Sequence, residues 1–353
     1  MPALALLHLS ASAMLLFGWP APTSTPTSST AQAQYQPPPV PNFTQHGQQG
    51  IAAPFEYFRS HIYVTLAVNG TPGMVFLLDT GTSANILNLR TSQALGLKPE
   101  SVKRQKDMGL GEGKVAVAAA KNVDLALGPV QIANILAVVD LTGLERFNGH
   151  RTDGILGYPL LKRFVVEFDF QRQILTLYPI KHYRYRGPGD IQYLTGKDRF
   201  AAIPVTLCTA DNRHHDAIVE IDTGSDATLL LYPEFARGAR MEQTFWKRPD
   251  PLLQHLQGYG IGGFFPLEYG ELTFMSMRNT EVTPLPVFLM QTSSQLPARR
   301  KVGGIVGTAV LSKYQKVIFD VPRGRIILER RVPAETLLVK PTIPHQHSLF
   351  GPH

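Results

Sequence analysis

The tripeptide Asp-Thr-Gly occurs twice in this chain of 353 residues, at 79–81 and at 222–224. A given tripeptide is expected about 0.05 times by chance in a chain of this length. In both copies a short apolar run leads directly into the aspartate, and a turn containing glycine or asparagine joins that run to an earlier strand-like run. This pattern is typical of a β-hairpin that ends on the tripeptide.

Three further segments recur in the same order after the two tripeptides: 154–157 with 304–307, 165–169 with 316–320, and 174–178 with 326–330. The offset between the copies changes only from 143 (79 to 222) to 151 (169 to 320). A duplicated lobe with loop insertions would produce this pattern. Most apolar runs are short, rich in β-branched residues and bounded by turn residues, which predicts a mainly β fold.

The two ends of the chain differ in composition from its middle. Residues 3–17 form an apolar run too short for a comfortable membrane span, and a small-residue pattern typical of a cleavage site follows at 31–33. We therefore expect export to the periplasm or the medium, with an uncleaved membrane tether as the alternative because no Lys or Arg precedes the run. The predicted organisation is a signal peptide at 1–33, a disordered Pro/Ser/Thr/Gln-rich segment at 34–54, an N-terminal lobe at 55–186, a C-terminal lobe at 187–335 and a disordered tail at 336–353.

Each aspartate lies between two apolar runs, which predicts that Asp79 and Asp222 are at least partly buried. A buried carboxylate is costly unless it is paired or hydrogen-bonded. Two carboxyl groups within a few ångströms of each other cannot both ionise, so the pKa of one rises and that of the other falls. Such a pair holds one proton and one charge, and it can therefore both activate a water molecule and protonate a carbonyl oxygen.

Residues 78–87 resemble the active-site loop of the pepsin and retropepsin clan of aspartic proteases, and residues 221–230 resemble its retropepsin version more specifically. The segments 155–157 and 305–307 are similar to the hydrophobic-hydrophobic-Gly segment of that clan. The resemblance covers roughly residues 55–332 and is closest to bacterial retropepsin-like proteins with two tandem lobes. It implies a bilobal acid-protease fold, in which two similar six-stranded β-lobes enclose an active-site cleft.

The resemblance also implies roles for individual residues. Asp79 and Asp222 would be catalytic, and six neighbours would support them: Thr80, Gly81, Thr82, Thr223, Gly224 and Ser225. The threonines of the two tripeptides would interlock, and the glycines would let main-chain N–H groups approach the carboxylates. The hydroxyl groups at 82 and 225 would donate to outer carboxylate oxygens. No metal or cofactor is implied, the partner would be a peptide or protein substrate, and a monomer is expected because one chain supplies both aspartates.

Two glycine-rich segments lie where this family carries its flaps. The residues expected to cover the substrate are Gly109, Gly111, Gly113, Gly258, Tyr259, Gly260 and Gly262. A mobile hairpin tip would close over the substrate and expel water, and ordinary glycine turns without a function are the alternative. The first segment lacks the tyrosine that pepsins have there, and a single cysteine, Cys208, excludes pepsin-type disulfides. Both features favour the retropepsin-like branch.

The function predicted from these residues is an aspartic endopeptidase that hydrolyses peptide bonds without a covalent intermediate. The alternatives are a catalytically silent peptide-binding protein on the same fold and a glycoside hydrolase, which would need a carboxyl separation of about 5–10 Å. The net charge of +7 and the stretch 181–186, in which basic and aromatic residues alternate, could indicate nucleic-acid binding. Because no nucleic-acid-binding motif accompanies this stretch, we interpret it as a solvated linker between the lobes. Cys208 is expected to be a small buried hydrophobe rather than a nucleophile.

Overall fold

The computed structural model describes residues 42–45, 48–105, 110–111, 113–195, 200–241, 256–283, 285–292 and 302–331. The predicted signal peptide (1–33) and the predicted tail (336–353) lie outside the described residues. None of the helices within these ranges combines the length and the apolar character that a membrane crossing requires.

Strands dominate both halves of the chain, and the helices are short. The strands of the first half are β1 (Asn42–Gln45), β2 (Gln48–Phe58), β3 (His61–Val68), β4 (Thr71–Leu78), β5 (Ile86–Asn88), β6 (Glu100–Gln105), β7 (Val115–Leu127), β8 (Val130–Val139), β9 (Gly154–Leu156), β10 (Phe164–Asp169) and β11 (Ile174–Pro179). The strands of the second half are β12 (Asp190–Tyr193), β13 (Ala202–Cys208), β14 (His214–Ile221), β15 (Leu229–Leu231), β16 (Leu256–Gly260), β17 (Gly263–Leu272), β18 (Phe274–Met277), β19 (Thr280–Val282), β20 (Leu285–Met290), β21 (Gly304–Val306), β22 (Lys316–Asp320) and β23 (Arg325–Glu329). The α-helices are α1 (Leu89–Ala94), α2 (Thr142–Asn148), α3 (Pro159–Arg163), α4 (Pro233–Gly238) and α5 (Thr308–Leu311).

The first tripeptide ends a hairpin formed by β3 and β4. Asn69 and Gly70 join the two strands with φ angles of 49° and 76°. Positive φ at both central residues is the geometry of a type I′ turn, which Asn-Gly adopts readily and which matches the twist of the strands. The last three residues of β4, 76–78, are fully buried. The hairpin therefore delivers Asp79 into the interior.

Both halves bring the strand that carries the tripeptide into parallel pairing with a later strand. β4 pairs parallel with β9, and β14 pairs parallel with β21. A second parallel pair follows in each half, β5 with β8 and β15 with β20. The C-terminal sheet has the order β16-β17-β20-β15-β21-β14-β13-β18-β19. Each tripeptide thus lies at the carboxyl end of a buried strand, beside a Gly-Ile-x-Gly segment.

The other sheet contains strands from both halves of the chain. Its order is β12-β23-β22-β10-β11-β2-β3-β4-β9-β5-β8-β7-β6, with β1 paired to β2. β10 and β22 are buried along nearly their whole length, so their antiparallel pairing satisfies backbone groups that would otherwise form an open edge. The aromatic rings of Phe168 and Phe319 meet edge to face across this junction at 5.8 Å.

The expected mainly β architecture is confirmed, with a difference in how the strands are divided. Within the described residues, one sheet has nine strands and the other has 14, rather than six in each lobe. The unequal division arises because three strands of the second half extend the sheet of the first half: β22 pairs with β10, β23 pairs with β22, and β12 pairs with β23. A pairing between residues about 150 positions apart leaves no local periodic signal.

β2 corrects the predicted boundary of the disordered segment. Within the segment predicted to be disordered (34–54), residues 42–45 form β1 and residues 48–54 form the first part of β2. Residues 51–54 pair antiparallel with β11, and Ala52 and Ala53 are each 3% exposed. The burial comes from the sheet that the segment joins, which its own polar composition does not reveal.

Glu167 and Lys316 form a buried ion pair between β10 and β22, with Oε1 and Nζ 2.9 Å apart and exposed fractions of 4% and 5%. Removing one partner of a buried pair costs about 3–5 kcal/mol, whereas replacing both by apolar residues is often neutral. We therefore expect Lys316→Met to lower the free energy of unfolding in urea by about that amount. The double variant Lys316→Met/Glu167→Leu should recover most of the loss.

Lys121→Met is the matched control, because it removes an exposed ion pair with Glu100 (2.7 Å). Solvent screens an exposed pair, so its removal should change the stability little. Equal losses from the two lysine variants would contradict a structural role for the buried pair.

Candidate active site

The two aspartates follow the ends of β4 and β14, where the neighbouring parallel strand holds their backbone. The Asp79 amide donates to the Leu156 carbonyl and the Asp222 amide donates to the Val306 carbonyl, both at 2.9 Å. Leu156 and Val306 are the last residues of β9 and β21. The same pairing therefore positions the start of both loops.

The residue that follows each Gly-Ile-x-Gly segment also donates a backbone hydrogen bond to the aspartate loop of the same half. The Tyr158 amide donates to the Thr82 carbonyl (2.8 Å), and the Thr308 amide donates to the Ser225 carbonyl (2.7 Å). A Cβ on Gly157 would lie 2.5 Å from the Thr82 carbonyl oxygen. Glycine at this position therefore lets the segment approach the loop backbone closely.

The threonines of the two tripeptides interlock across the junction of the loops. Thr80 Oγ1 donates to the Ile221 carbonyl (2.9 Å), and Thr223 Oγ1 donates to the Leu78 carbonyl (3.0 Å). Each hydroxyl also accepts from the opposite threonine amide, at 3.0 Å for Thr223 N and 3.2 Å for Thr80 N. Both threonines are buried. Four hydrogen bonds therefore tie the two halves of the chain together at this point.

The main-chain donors converge on one of the two carboxylates. The amides of Gly81 (3.0 Å) and Gly224 (2.8 Å) both donate to Asp222 Oδ1. The first of these hydrogen bonds crosses between the halves. A Cβ on Gly81 would lie 2.6 Å from Asp222 Cγ, and a Cβ on Gly224 would lie 2.6 Å from Asp79 Oδ1. Only glycine permits these close approaches at the two positions.

The two hydroxyl residues after the tripeptides differ in their contacts. Thr82 Oγ1 donates to Asp79 Oδ2 at 2.7 Å, which is the contact that the sequence predicted. Ser225 is buried, and its Oγ accepts from the Ala227 amide at 3.3 Å. Its predicted donation to Asp222 stays a prediction. The donors described here are thus a hydroxyl group at Asp79 and two amides at Asp222.

The electrostatic environment favours a protonated carboxyl at Asp79. Asp79 and Asp222 are 3% and 5% exposed. Burial, and then the charge of Asp222, raise the pKa of Asp79 well above its ordinary value, while the Thr82 hydrogen bond opposes this shift. Asp79 Oδ1 has no donor among the described side chains, although the carboxyl group of Asp222 lies within hydrogen-bonding reach. Two carboxylate oxygens can bond only through a proton, so one proton shared by the pair satisfies both observations.

Glu220 also contributes to the electrostatic environment of Asp79, which the sequence did not predict. Glu220 is fully buried two residues before Asp222, and its charge also raises the pKa of Asp79. The available signal was an acidic residue inside the apolar run that precedes the second tripeptide.

The glycine-rich segments meet each other across the two halves of the chain. The Gly113 amide donates to the Gly262 carbonyl (2.7 Å), and the Gly262 amide donates to the Leu110 carbonyl (3.0 Å). Gly111 has a φ of 112° and also faces Gly262. Gly258, Tyr259 and Gly260 lie on β16, which forms a hairpin with β17. Gly109 lies outside the described residues.

The structure also describes the single cysteine and the arrangement of the side-chain types that can bind a metal ion. Cys208 is 1% exposed at the end of β13, and its Sγ lies 3.8 Å from His214 Nε2. Its burial agrees with the expected role as a small hydrophobe. In the part of the chain that the structure describes, no group of three or more His, Cys, Asp or Glu side chains is arranged to hold a metal ion.

The threonine interlock generates a prediction about stability. Thr80→Val keeps the shape of the side chain but leaves the Ile221 carbonyl and the Thr223 amide without this partner. Each buried unsatisfied group costs about 1–3 kcal/mol, so we expect a loss of about 2–4 kcal/mol in the free energy of unfolding in urea. Thr80→Ser, which keeps the hydroxyl, should lose much less.

Thr206→Val is the matched control, because Thr206 donates to Asp216 (2.8 Å) on the solvent-facing side of β13. Its expected effect is within about 0.5 kcal/mol. A Thr80→Val protein as stable as this control would contradict the proposed contribution of the interlock.

Comparison with known proteins identifies one family for part of the chain. A family model described as "Aspartyl protease" matches residues 64–160. The matched stretch contains the first tripeptide and the segment 154–157, and it ends before Asp222. This part of the chain is therefore similar to aspartyl proteases. No curated protein matches the chain.

Proposed function

We propose that this chain is an aspartic endopeptidase that hydrolyses peptide bonds with a water molecule activated by Asp79 and Asp222. The observation that carries the proposal is the pair of buried carboxyl groups, one from each half of the chain, within reach of a shared proton. The family match over residues 64–160 supports the same class of enzyme. Because that match excludes Asp222, the pairing of the two aspartates rests on the geometry of the loops.

The asymmetry of the hydrogen bonds supports an assignment of the resting state. Two amide donors stabilise negative charge on Asp222, whereas burial raises the pKa of Asp79 and favours its protonated form. The ionised Asp222 then serves as the base and the protonated Asp79 as the acid. Since the two groups titrate as a coupled pair, the proton belongs to both during the reaction.

This arrangement performs hydrolysis in two balanced steps. In the first step a water proton moves to Asp222, the water oxygen bonds to the peptide carbon, and the Asp79 proton moves to the carbonyl oxygen. A tetrahedral diol results. In the second step one hydroxyl of the diol returns a proton to Asp79, the carbon–nitrogen bond breaks, and the proton on Asp222 moves to the leaving nitrogen. The carboxyl groups end in their starting states, without a covalent intermediate.

The first test is proteolysis by the full chain. We expect the wild type to cleave unfolded casein between pH 3 and 7, and a statine peptide, which imitates the tetrahedral diol, to block cleavage. Asp79→Asn and Asp222→Asn should each reduce the rate by about 10²–10⁴-fold or more, because each removes one member of the acid–base pair. Asp216→Asn, at an exposed position on β14, is the matched control and should retain activity.

Two results would contradict the proposal. One is cleavage that survives both aspartate substitutions. The other is a wild-type protein that neither cleaves casein at any of these pH values nor binds the statine peptide by calorimetry, which would favour the alternative of a catalytically silent peptide-binding protein.

The raised pKa of Asp79 predicts how stability depends on pH. Above the ordinary value of 3.8, the folded protein binds more protons at this site than the unfolded chain does. The contribution of Asp79 to stability is therefore fully present below that pH, and it is lost as the pH rises through the folded-state pKa. Asparagine has no such proton to lose.

We therefore expect the stability of Asp79→Asn relative to wild type to increase between pH 4 and 7, as measured by urea unfolding. Asp216→Asn, which removes an exposed carboxylate from β14, serves again as the matched comparison. A pH-independent difference between Asp79→Asn and wild type would contradict the raised pKa, whether or not the protein is a protease.

A further inference from the structure

The hairpin β16–β17 contacts the opposite half of the chain through three aromatic rings. Tyr259, on β16, stacks on Phe147 of α2 with a centroid distance of 4.9 Å and an interplanar angle of 26°. Phe264, on β17, meets both rings edge to face, at 4.9 Å from Tyr259 and 5.7 Å from Phe147. Both arrangements are favourable for aromatic pairs. The hairpin is therefore attached to a helix of the N-terminal half.

Gly143, the second residue of α2, provides space for the Tyr259 hydroxyl group. A Cβ added at Gly143 would overlap that hydroxyl and lie 2.9 Å from Tyr259 Cζ. Gly143 is not among the glycines with positive φ, so its backbone conformation does not require glycine. Glycine within a helix is unfavourable relative to alanine. Glycine is required at position 143 because the Tyr259 ring occupies the space that a side chain would need.

The tip of each glycine-rich segment also packs against the opposite half of the chain. Tyr259 and Ile261 pack against an apolar cluster of the N-terminal half that includes Leu141 and Leu144. Leu110 is buried in a cluster of the C-terminal half that includes Leu230. The backbone hydrogen bonds between 110–113 and Gly262 lie between these two contacts. The first glycine-rich segment thus contacts the C-terminal half, and the second contacts the N-terminal half.

The two rings that the hairpin contributes to the aromatic cluster are more exposed than Phe147, which is 7% exposed. Phe264 is 47% exposed, and Tyr259 is only partly buried. The floor of the site, in contrast, is held by the buried threonine interlock and by the sheet that the two halves share. Local openings of a fold occur first where few buried contacts are lost.

We propose that Tyr259 is an interlobe latch, whose ring on Phe147 and hydroxyl beside Gly143 hold the β16–β17 hairpin closed, and which opens to admit an extended peptide. Tyr259 is a positioning residue, since it acts by fixing the hairpin rather than by touching the reacting atoms. The latch is independent of catalysis, while its role in admitting a peptide rests on the proposed function.

The first test measures the distance between the hairpin and α2. Spin labels at Arg146→Cys and Gln257→Cys occupy exposed positions on the two elements, while Cys208 is buried. We expect one short distance in the otherwise wild-type chain. Gly143→Ala should lengthen or broaden the distribution, because the methyl group displaces the Tyr259 ring, and Tyr259→Ala should do the same.

Two comparisons distinguish the latch from a general loss of structure. Gly238→Ala in α4 is the matched glycine control, because a Cβ there meets nothing within 4 Å, and it should leave the distance unchanged. If Gly143→Ala acts through Tyr259, the double variant Gly143→Ala/Tyr259→Ala should have the same distance distribution as Tyr259→Ala alone. An unchanged distance in Gly143→Ala, or additive effects in the double variant, would overturn the latch.

The second test measures how fast a statine peptide binds, by stopped-flow fluorescence with a labelled peptide. Loss of the aromatic contact should raise the association rate constant of Tyr259→Ala by about 2- to 10-fold. Tyr193→Ala, which removes an exposed tyrosine (57% exposed) far along the chain from the hairpin, should bind at the wild-type rate. An unchanged rate for Tyr259→Ala would overturn the gating role. If the wild type neither cleaves casein nor binds the statine peptide, the proposed function fails, and the distance measurement still decides the latch.

Discussion

Two carboxyl groups buried within reach of one proton impose the constraint on which the rest of this structure depends. Each carboxyl group accepts one donor from its own loop, but Asp222 also accepts the Gly81 amide from the other half, and the two carboxyl groups lie within hydrogen-bonding reach of each other. The two loops must therefore be held in one relative position. Errors of about 1 Å would break several hydrogen bonds at once, and buried polar groups without partners are costly.

The shared sheet supplies the rigidity that these hydrogen bonds require. β22 from the end of the chain pairs with β10 from its first half, and the buried pair of Glu167 and Lys316 crosses the same junction. The parallel pair β4–β9, in this sheet, and the parallel pair β14–β21, in the nine-stranded sheet, then hold the backbone at each aspartate. The site is thus built on paired strands rather than on isolated loops, which favours precise geometry.

The covering side of the site is joined in a different way. There the two halves meet through two backbone hydrogen bonds and a partly exposed aromatic cluster around Tyr259. Contacts of this kind can open locally while the buried floor stays intact. A rigid floor with a cover that opens would suit the proposed endopeptidase, which must admit an extended chain and then exclude bulk water from the shared proton.

The sequence by itself determined the elements whose signals are local: short strands, the hairpin turn at Asn69-Gly70, and two tripeptides whose aspartate, threonine and glycine are each needed for one contact. Only the tertiary structure decided which carboxylate receives the two amides described above, that residues 51–54 join β11, and how β22 joins β10. It also decided that Tyr259 packs beside Gly143. These features depend on pairings between segments up to about 150 residues apart, and such pairings are selected by burial and hydrogen bonding in the assembled sheet rather than by periodicity within either segment.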